Sequence, residues 1–355
     1  LRGICMALFG VVSIWPIYAV CVQKDTPYVG GIVLLMCICA ELLYLGRALT
    51  PRLTAALLAL CLLIVHTRNN GIYLCLPLLA ALAAALGRRY LGKLAGVTAV
   101  MLAVYAFTQG PLMEAVHCYG NETQEMLSVP FQQTARYVKQ YPDEVTEEEQ
   151  EAIEDVLIYD TLADRYEPYM SDAVKMQYRL RFSDDDTGHE RELLQIYFKT
   201  WAAQFQKHTL VYLEATANNM YGFIAPISYR VLGPVELNID VDPALEHSVA
   251  DYTQPQALAP VRTLYCKIST FVGKMPFFSL LYSPFVTTWI VCVGAVLLLR
   301  KKCWRAMVLY LPMLLNVAVC LVSPINASTR YMLCATACLP LLLAVLQNEP
   351  DSHKT

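Results

Sequence analysis

Apolar residues gather into eight runs, at about residues 4–22, 28–45, 53–67, 71–87, 94–109, 277–299, 306–322 and 331–346. Most approach the roughly 20 residues that an α-helix needs to cross about 30 Å of hydrocarbon. The pattern therefore predicts a mainly α fold, a polytopic transmembrane helical bundle of about eight spans. Two runs are irregular. Trp15-Pro16 would kink the first or divide it into a re-entrant pair, and the third reaches a spanning length only if it begins near Pro51.

Between the fifth and sixth runs the chain turns polar. This divides it into residues 1–109 with about five spans, a segment 110–275, and residues 276–355 with about three spans and a short tail. Within the segment, Thr146 followed three residues later by Glu149 reads as a capping box opening a helix through about Ala163. A second helix is predicted from about Glu190 to Thr209, because Leu193, Leu194, Tyr197, Trp201 and Phe205 recur at the spacing of one packed face. The stretch Pro130 to Tyr137 looks like a short amphipathic helix lying at the membrane surface. Five prolines and no sustained period between Phe223 and Arg262 mark an irregular connection.

Composition sharpens this picture. The 355 residues are 56% hydrophobic and 16% charged, against about 25% charged in an ordinary soluble domain. With a mean hydropathy of +0.41, a soluble enzyme and a disordered tail are both excluded. Segment 110–275 holds 26 of the 30 acids and 13 of the 27 bases, a net charge of −13, while the remainder carries 14 bases and four acids, a net of +10. Placing the richest clusters of bases in the cytoplasm puts Arg47, Arg52, Arg88, Arg89, Lys93, Arg300, Lys301, Lys302 and Arg305 inside with one alternating topology. The acidic segment is then extracytoplasmic, together with the short loops around Lys24, Arg68 and Arg330.

Of thirteen cysteines, eleven lie in or beside apolar runs, where Cys behaves as a small hydrophobe. Cys118 and Cys266 lie in the polar segment, as a disulfide pair or as two unrelated thiols. The first residue is Leu1, without a leader before the first run, so the sequence is expected to start inside a longer protein.

Signatures of soluble enzymes are missing: there is no phosphate-binding or dinucleotide-binding glycine motif, no H-E-x-x-H and no C-x-x-C pair. The six histidines are scattered, and His66 and His189 read more readily as satisfied or solvated side chains than as metal ligands. No nucleic-acid partner is indicated. The informative residues are Lys24, Arg68, Lys274 and Arg330, which precede or open helices on the outer side. A base at a helix N-terminus is locally unfavourable by about 0.3 to 1 kcal/mol. A phosphate would resolve the conflict, because exposed N–H groups and a base together hold an anion. Snorkelling to lipid headgroups would satisfy the same bases without a specific site.

Local motifs add detail. In Lys24-Asp25-Thr26-Pro27, Pro27 suits the first helical position and Thr26 or Asp25 can cap the helix. The same residues also suit a reaction site, with Asp25 as a metal ligand or acceptor-side carboxylate and Lys24 on phosphate. Arg68-Asn69-Asn70-Gly71 is a tight outer turn in which Asn and Gly take left-handed conformations and an Asn caps the next helix. Gln132, Gln133 and Arg136 supply groups that bind hydroxyls, on a helix that is equally a plain strut.

Lys24-Asp25 opening an apolar helix, Arg68-Asn69-Asn70-Gly71-Ile72-Tyr73 with Pro77 beyond, and Arg330-Tyr331 leading to Pro340 resemble the GT-C superfamily of polyprenyl-phosphate-sugar glycosyltransferases. More narrowly, the chain resembles a bacterial family of uncharacterised polytopic proteins in which Pro130 to Tyr137 and Ser171-Asp172-Ala173-Val174-Lys175 recur. The superfamily resemblance implies a membrane enzyme that transfers a sugar from a polyprenyl-phosphate-linked donor to an envelope glycan or lipid acceptor, in the bacterial cytoplasmic membrane among membrane lipids. It implies Asp25 near the donor or a divalent metal ion, Arg68 facing the lipid phosphate, and Arg330 with Tyr331 before the final helix. Lys24, Asn69, Asn70, Gln132, Gln133 and Arg136 complete the expected binding set. The principal acid of such enzymes follows the first helix of the complete protein, which places it upstream of Leu1. Rival expectations are a transporter or flippase of phosphate-containing lipids and a non-catalytic membrane anchor.

Overall fold

The computed structural model describes residues 14–20, 24–117, 122–178, 187–226, 256–275 and 283–349, with single positions 3, 6, 9, 10 and 280. The main helices are α1 (Ile14–Val20), α2 (Asp25–Tyr44), α3 (Pro51–Thr67), α4 (Gly71–Leu86), α5 (Arg88–Phe107), α6 (Ser128–Gln140), α7 (Glu147–Glu154), α8 (Tyr159–Arg165), α9 (Asp172–Lys175), α10 (Thr187–Lys207), α11 (Thr209–Met220), α12 (Ala259–Lys274), α13 (Pro284–Arg300), α14 (Trp304–Leu321) and α15 (Thr329–Asn348). Among the described residues there is no strand, only isolated bridges.

Among the described residues, four helices are long and apolar enough to cross a membrane: α2, α14, α15, and α5 together with its continuation to Ala115. The apolar helices α3, α4 and α13 are shorter, with 17, 16 and 17 residues. The third run does begin at Pro51, because the Thr50 hydroxyl accepts a bond from the Leu53 N–H and proline fills the first helical position. Beyond α5 the chain widens into a π-helical turn, Thr108–Leu112, which contains Pro111. A proline lacks the amide a regular helix needs, and a wider turn accommodates it. The Thr108 hydroxyl meets His66 Nε2 at 2.8 Å, while His66 Nδ1 lies 2.8 Å from the Leu62 carbonyl, so this histidine is satisfied locally. Nine residues of the first apolar run, 4–22, lie outside the described residues; within it, α1 packs Ile14 against Leu333 of α15.

The apolar helices share one core, from Tyr28 and Ile32 through Leu57, Leu78 and Met313 to Leu342. Lipid-facing bundles gain little from the hydrophobic effect and rely on close approach and internal hydrogen bonds. Accordingly, a Cβ on Gly294 would lie 2.6 Å from the Tyr310 ring. The Tyr310 hydroxyl donates to the Leu342 carbonyl at 3.0 Å, and the Thr287 and Thr336 hydroxyls meet at 2.9 Å.

The polar segment has a core of its own around Phe131, Ile153, Leu157, Leu162, Val174 and Tyr197. The capping box forms as expected, with Glu149 N–H on the Thr146 hydroxyl at 3.2 Å. Its helix ends at Glu154 rather than near Ala163, and α8 starts afresh at Tyr159, whose N–H is taken by the Glu154 carboxylate at 2.7 Å. The 190–209 helix is present as α10, with Tyr197 fully buried. The larger correction concerns 130–137. It is helical, but α6 does not lie at a surface: Phe131, Thr134, Ala135 and Tyr137 are wholly buried, and α6 is the central rod around which α8, α9, α10 and α11 pack. Of the expected irregular strip 223–262, residues 227–255 lie outside the described residues, and its end opens α12.

A latch joins the polar segment to the bundle. The loop between α14 and α15 places Asn326 at 0% exposure, its carboxamide taking the Gly222 N–H and giving to the Asn218 carbonyl, both at 2.9 Å. The Asn326 N–H donates to the Tyr169 carbonyl at 2.9 Å, the Ser171 N–H to the Pro324 carbonyl at 2.8 Å, and the Asn219 amide to the Ser323 carbonyl at 2.6 Å. With both of its buried polar ends satisfied, the loop is held from Ser323 to Asn326, just before the first turn of α15.

Candidate functional site

Three of the sequence-selected loops meet at the end of the bundle that carries the polar segment. Asp25 opens α2 with its side chain 0% exposed; Arg68 NH1 lies 3.0 Å from one carboxylate oxygen, and Arg330 Nε binds the other. Isolated in this environment the carboxylate would cost several kcal/mol, and its two guanidinium partners compensate it. The bases at these helix ends ask for an anion, and Asp25 supplies part of it.

Each partner is fixed differently. Arg68 follows α3 in extended conformation, 15% exposed, with its guanidinium 5.6 Å from the Tyr28 ring centroid and 4.9 Å from that of Tyr331. Flat cationic groups are favoured against aromatic faces. Tyr331 is anchored in turn, since Asn316 of α14 donates to its carbonyl at 3.2 Å. Arg330 stands just beyond the latched loop and is 41% exposed. The three ionised side chains sum to +1, and the excess charge lies on the open side of Arg330. Lys24 adds a further exposed base beside them.

The turns that deliver these residues differ from expectation. Neither Asn69 nor Asn70 is left-handed, and Asn70 makes no cap with its side chain. Gly71 is required for another reason: a Cβ there would lie 2.6 Å from the Ile64 carbonyl oxygen, so the close approach of α4 to the end of α3 depends on its absence. At the other loop, Pro27 is the third helical residue and Thr26 is not a cap; its hydroxyl donates to the Tyr18 carbonyl at 2.6 Å, tying α2 to α1.

The side chains of Gln132, Gln133 and Arg136 bond within the polar segment. The Gln132 amide binds the Glu167 carbonyl, and Gln133 bridges the Thr216 hydroxyl at 2.8 Å and the Trp201 indole N–H at 3.0 Å. Arg136 pairs with Glu214 and donates to the Tyr166 hydroxyl at 3.1 Å. Burial alone would depress its pKa, but the bonds it donates to Tyr166 and Glu214 outweigh it and hold Arg136 above its ordinary value. The Ser171–Lys175 motif is also internally engaged, with Lys175 Nζ at 2.7 Å from both Asp172 and Glu125. Burial opposes the Lys175 charge, and these two carboxylates raise its pKa above the usual lysine value.

Among the described residues no three His, Cys, Asp or Glu side chains gather to hold a metal ion. The Asp25 cluster does not fit a divalent cation, because its single carboxylate already faces two guanidinium groups. Cys118 and the Cys266 side chain lie outside the described residues, as does the side chain of Lys274, which ends α12 instead of opening a span. A groove of about 390 Å³ between Ala84, Ala85, Trp304 and Leu311 opens at the opposite end of the bundle and has no part in the cluster.

Sequence reasoning missed Asn326, Tyr28 and Asn316. Their signal was weak: an asparagine in a loop and polar atoms inside apolar runs, whose partners are distant in sequence.

Over residues 1–355 the chain matches the model of a family of unknown function (DUF6020), and it belongs to that family. No curated protein and no solved structure matches it.

Proposed function

We propose that the chain belongs to a membrane glycosyltransferase that moves a sugar from a polyprenyl-phosphate-linked donor to an envelope glycan or lipid acceptor. In this reading it has eight spans in the bacterial cytoplasmic membrane, and segment 110–275 is extracytoplasmic. The observation that carries the reading is the convergence of Arg68 and Arg330 on Asp25 at one bundle end, with a net positive charge and an open guanidinium. The motif resemblance to GT-C enzymes supplies the reaction.

In the transfer, the bond between the anomeric carbon and the phosphate oxygen breaks, a bond to the acceptor oxygen forms, and the acceptor's hydroxyl proton goes to a base. The leaving phosphate gains charge, which fixed cations stabilise without reorganising. Arg330 meets that charge directly, Lys24 lies beside it, and Arg68 is held behind it by Asp25 and the two tyrosine rings. Asp25 is thus a positioning residue, and the proton goes to a different carboxylate. The resemblance puts that acid in the loop after the first helix of the complete protein.

The complete burial of Asp25 equally suits a non-catalytic anchor in which the two ion pairs only tie helices together. Incubating the full-length protein with a panel of polyprenyl-linked sugars, followed by mass analysis, separates the readings. A glycosylated product that disappears in Arg330→Ala is expected. Movement of labelled lipid across the bilayer with no covalent product would point to a flippase, and neither outcome to an anchor.

A further inference from the structure

Helix α12 (Ala259–Lys274) carries an apolar stripe that nothing among the described residues covers. Val261, Leu264, Ile268 and Phe271 are 63%, 59%, 52% and 63% exposed, and among the described residues the only element with substantial contact is the short turn Gln256–Leu258 that leads into the helix. At 100° per residue these four positions fall within an arc of about 80°, while Ala259 and Thr263 lie about 120° or more from its middle, and Lys267 borders the stripe. The charges are one-sided: residues 259–274 contain Arg262, Lys267 and Lys274 and no acid, inside a segment whose net charge is −13.

Chain position identifies what covers the stripe. Apolar helix α13 begins at Pro284, soon after α12 ends at Lys274. The start of α13 lies at the latch end of the bundle, because the Trp289 indole donates to the Ile224 carbonyl at 2.7 Å. A short connection from an apolar helix, a wide apolar face and bases without acids are the features of a helix lying in the headgroup layer. We infer that α12 is an interfacial anchor, with Val261, Leu264, Ile268 and Phe271 in the acyl boundary of the bilayer and its bases turned to headgroup phosphates. It places the polar segment against the membrane on the side where Asp25, Arg68 and Arg330 meet. The inference is independent of the proposed reaction.

Tryptophan scanning tests it on the full chain in vesicles of phosphatidylcholine and phosphatidylglycerol. Variants Leu264→Trp, Ile268→Trp and Phe271→Trp are compared with Ala259→Trp and Thr263→Trp, each read as the emission added to that of the unsubstituted protein. Brominated lipid should quench the first three several-fold more strongly than the last two, and aqueous iodide should show the reverse order. Because every substituted position is solvent-exposed or apolar, folding is not at stake. Equal quenching at all five would show that the helix has no fixed orientation at the bilayer and would overturn the inference. Protection of the first three from both quenchers would assign the stripe to a protein partner or a second copy, and would overturn it as well.

Discussion

Arg68 and Arg330 bind the same carboxylate but differ in what else they can do. Arg68 is enclosed by Tyr28, Tyr331 and Asp25, so removing it leaves a buried carboxylate half compensated. Breaking such a pair costs about 3 kcal/mol, and Arg68→Ala should show this as a lowered midpoint of thermal unfolding in detergent, with or without substrate. Arg330 holds the other oxygen of the same buried carboxylate, so its removal costs stability as well, but it keeps an open face that Arg68 lacks. Arg330→Ala should therefore unfold below the wild-type temperature and, assayed where it is still folded, lose about a hundredfold in transfer, the effect of deleting one donor to a developing anion. If Arg330→Ala lost stability but left transfer untouched, the cluster would be a structural tie and no phosphate site.

Elements of the polar segment can be tested without any substrate. Thr146→Ala removes the hydroxyl that caps α7, and should lower the stability of the segment by about 1 kcal/mol in denaturant titration. Tyr137 offers a second test, since burial first, then the carboxylates of Glu149 and Glu144, push its pKa up to about 12. A phenol raised in the folded state stays neutral there while the unfolded chain ionises near its ordinary pKa of 10. Its contribution is whole below pH 10 and is lost as pH rises toward about 12. Alkaline unfolding of wild type should steepen across that window, and Tyr137→Phe should flatten it; an unchanged pH profile would contradict the burial assigned to this ring. The elements themselves were legible where one local signal decides: apolar run length gave the bundle helices from α2 to α15, the Thr146-Glu149 pair gave α7, and period gave α10. The site was legible in part, because bases at helix starts single out Lys24, Arg68 and Arg330. Asp25 as the common counter-ion of Arg68 and Arg330 was not readable, nor were Asn326 and the buried role of Gln132 and Gln133. Each depends on a partner far along the chain, and amphipathic α6 looks the same in sequence whether its apolar face meets lipid or a ring of other helices.

The molecule has two chemically different ends, and the latch fixes which functional residues share one. Asn326 and Ser171 bind the polar segment to the loop before α15, and Arg330 follows that loop onto Asp25. At the other end, Lys93 donates to the Leu49 carbonyl at 2.6 Å, and Arg47 pairs with Glu41. Arg88, Lys302 and Arg305 stand exposed there. Bases concentrate on the side of a membrane that retains them, so the polar segment and the Asp25 cluster should face away from the cytoplasm together, whatever the number of spans. Cysteines placed at exposed Glu151 and exposed Lys302 report this directly, read as labelling above that of the unsubstituted protein. An impermeant thiol reagent should modify Glu151→Cys in intact cells and Lys302→Cys only after permeabilisation. The reverse pattern would carry Arg68 and Arg330 to the cytoplasmic face along with Glu151, because the latch couples them, and transfer to an envelope acceptor at that site would then be untenable.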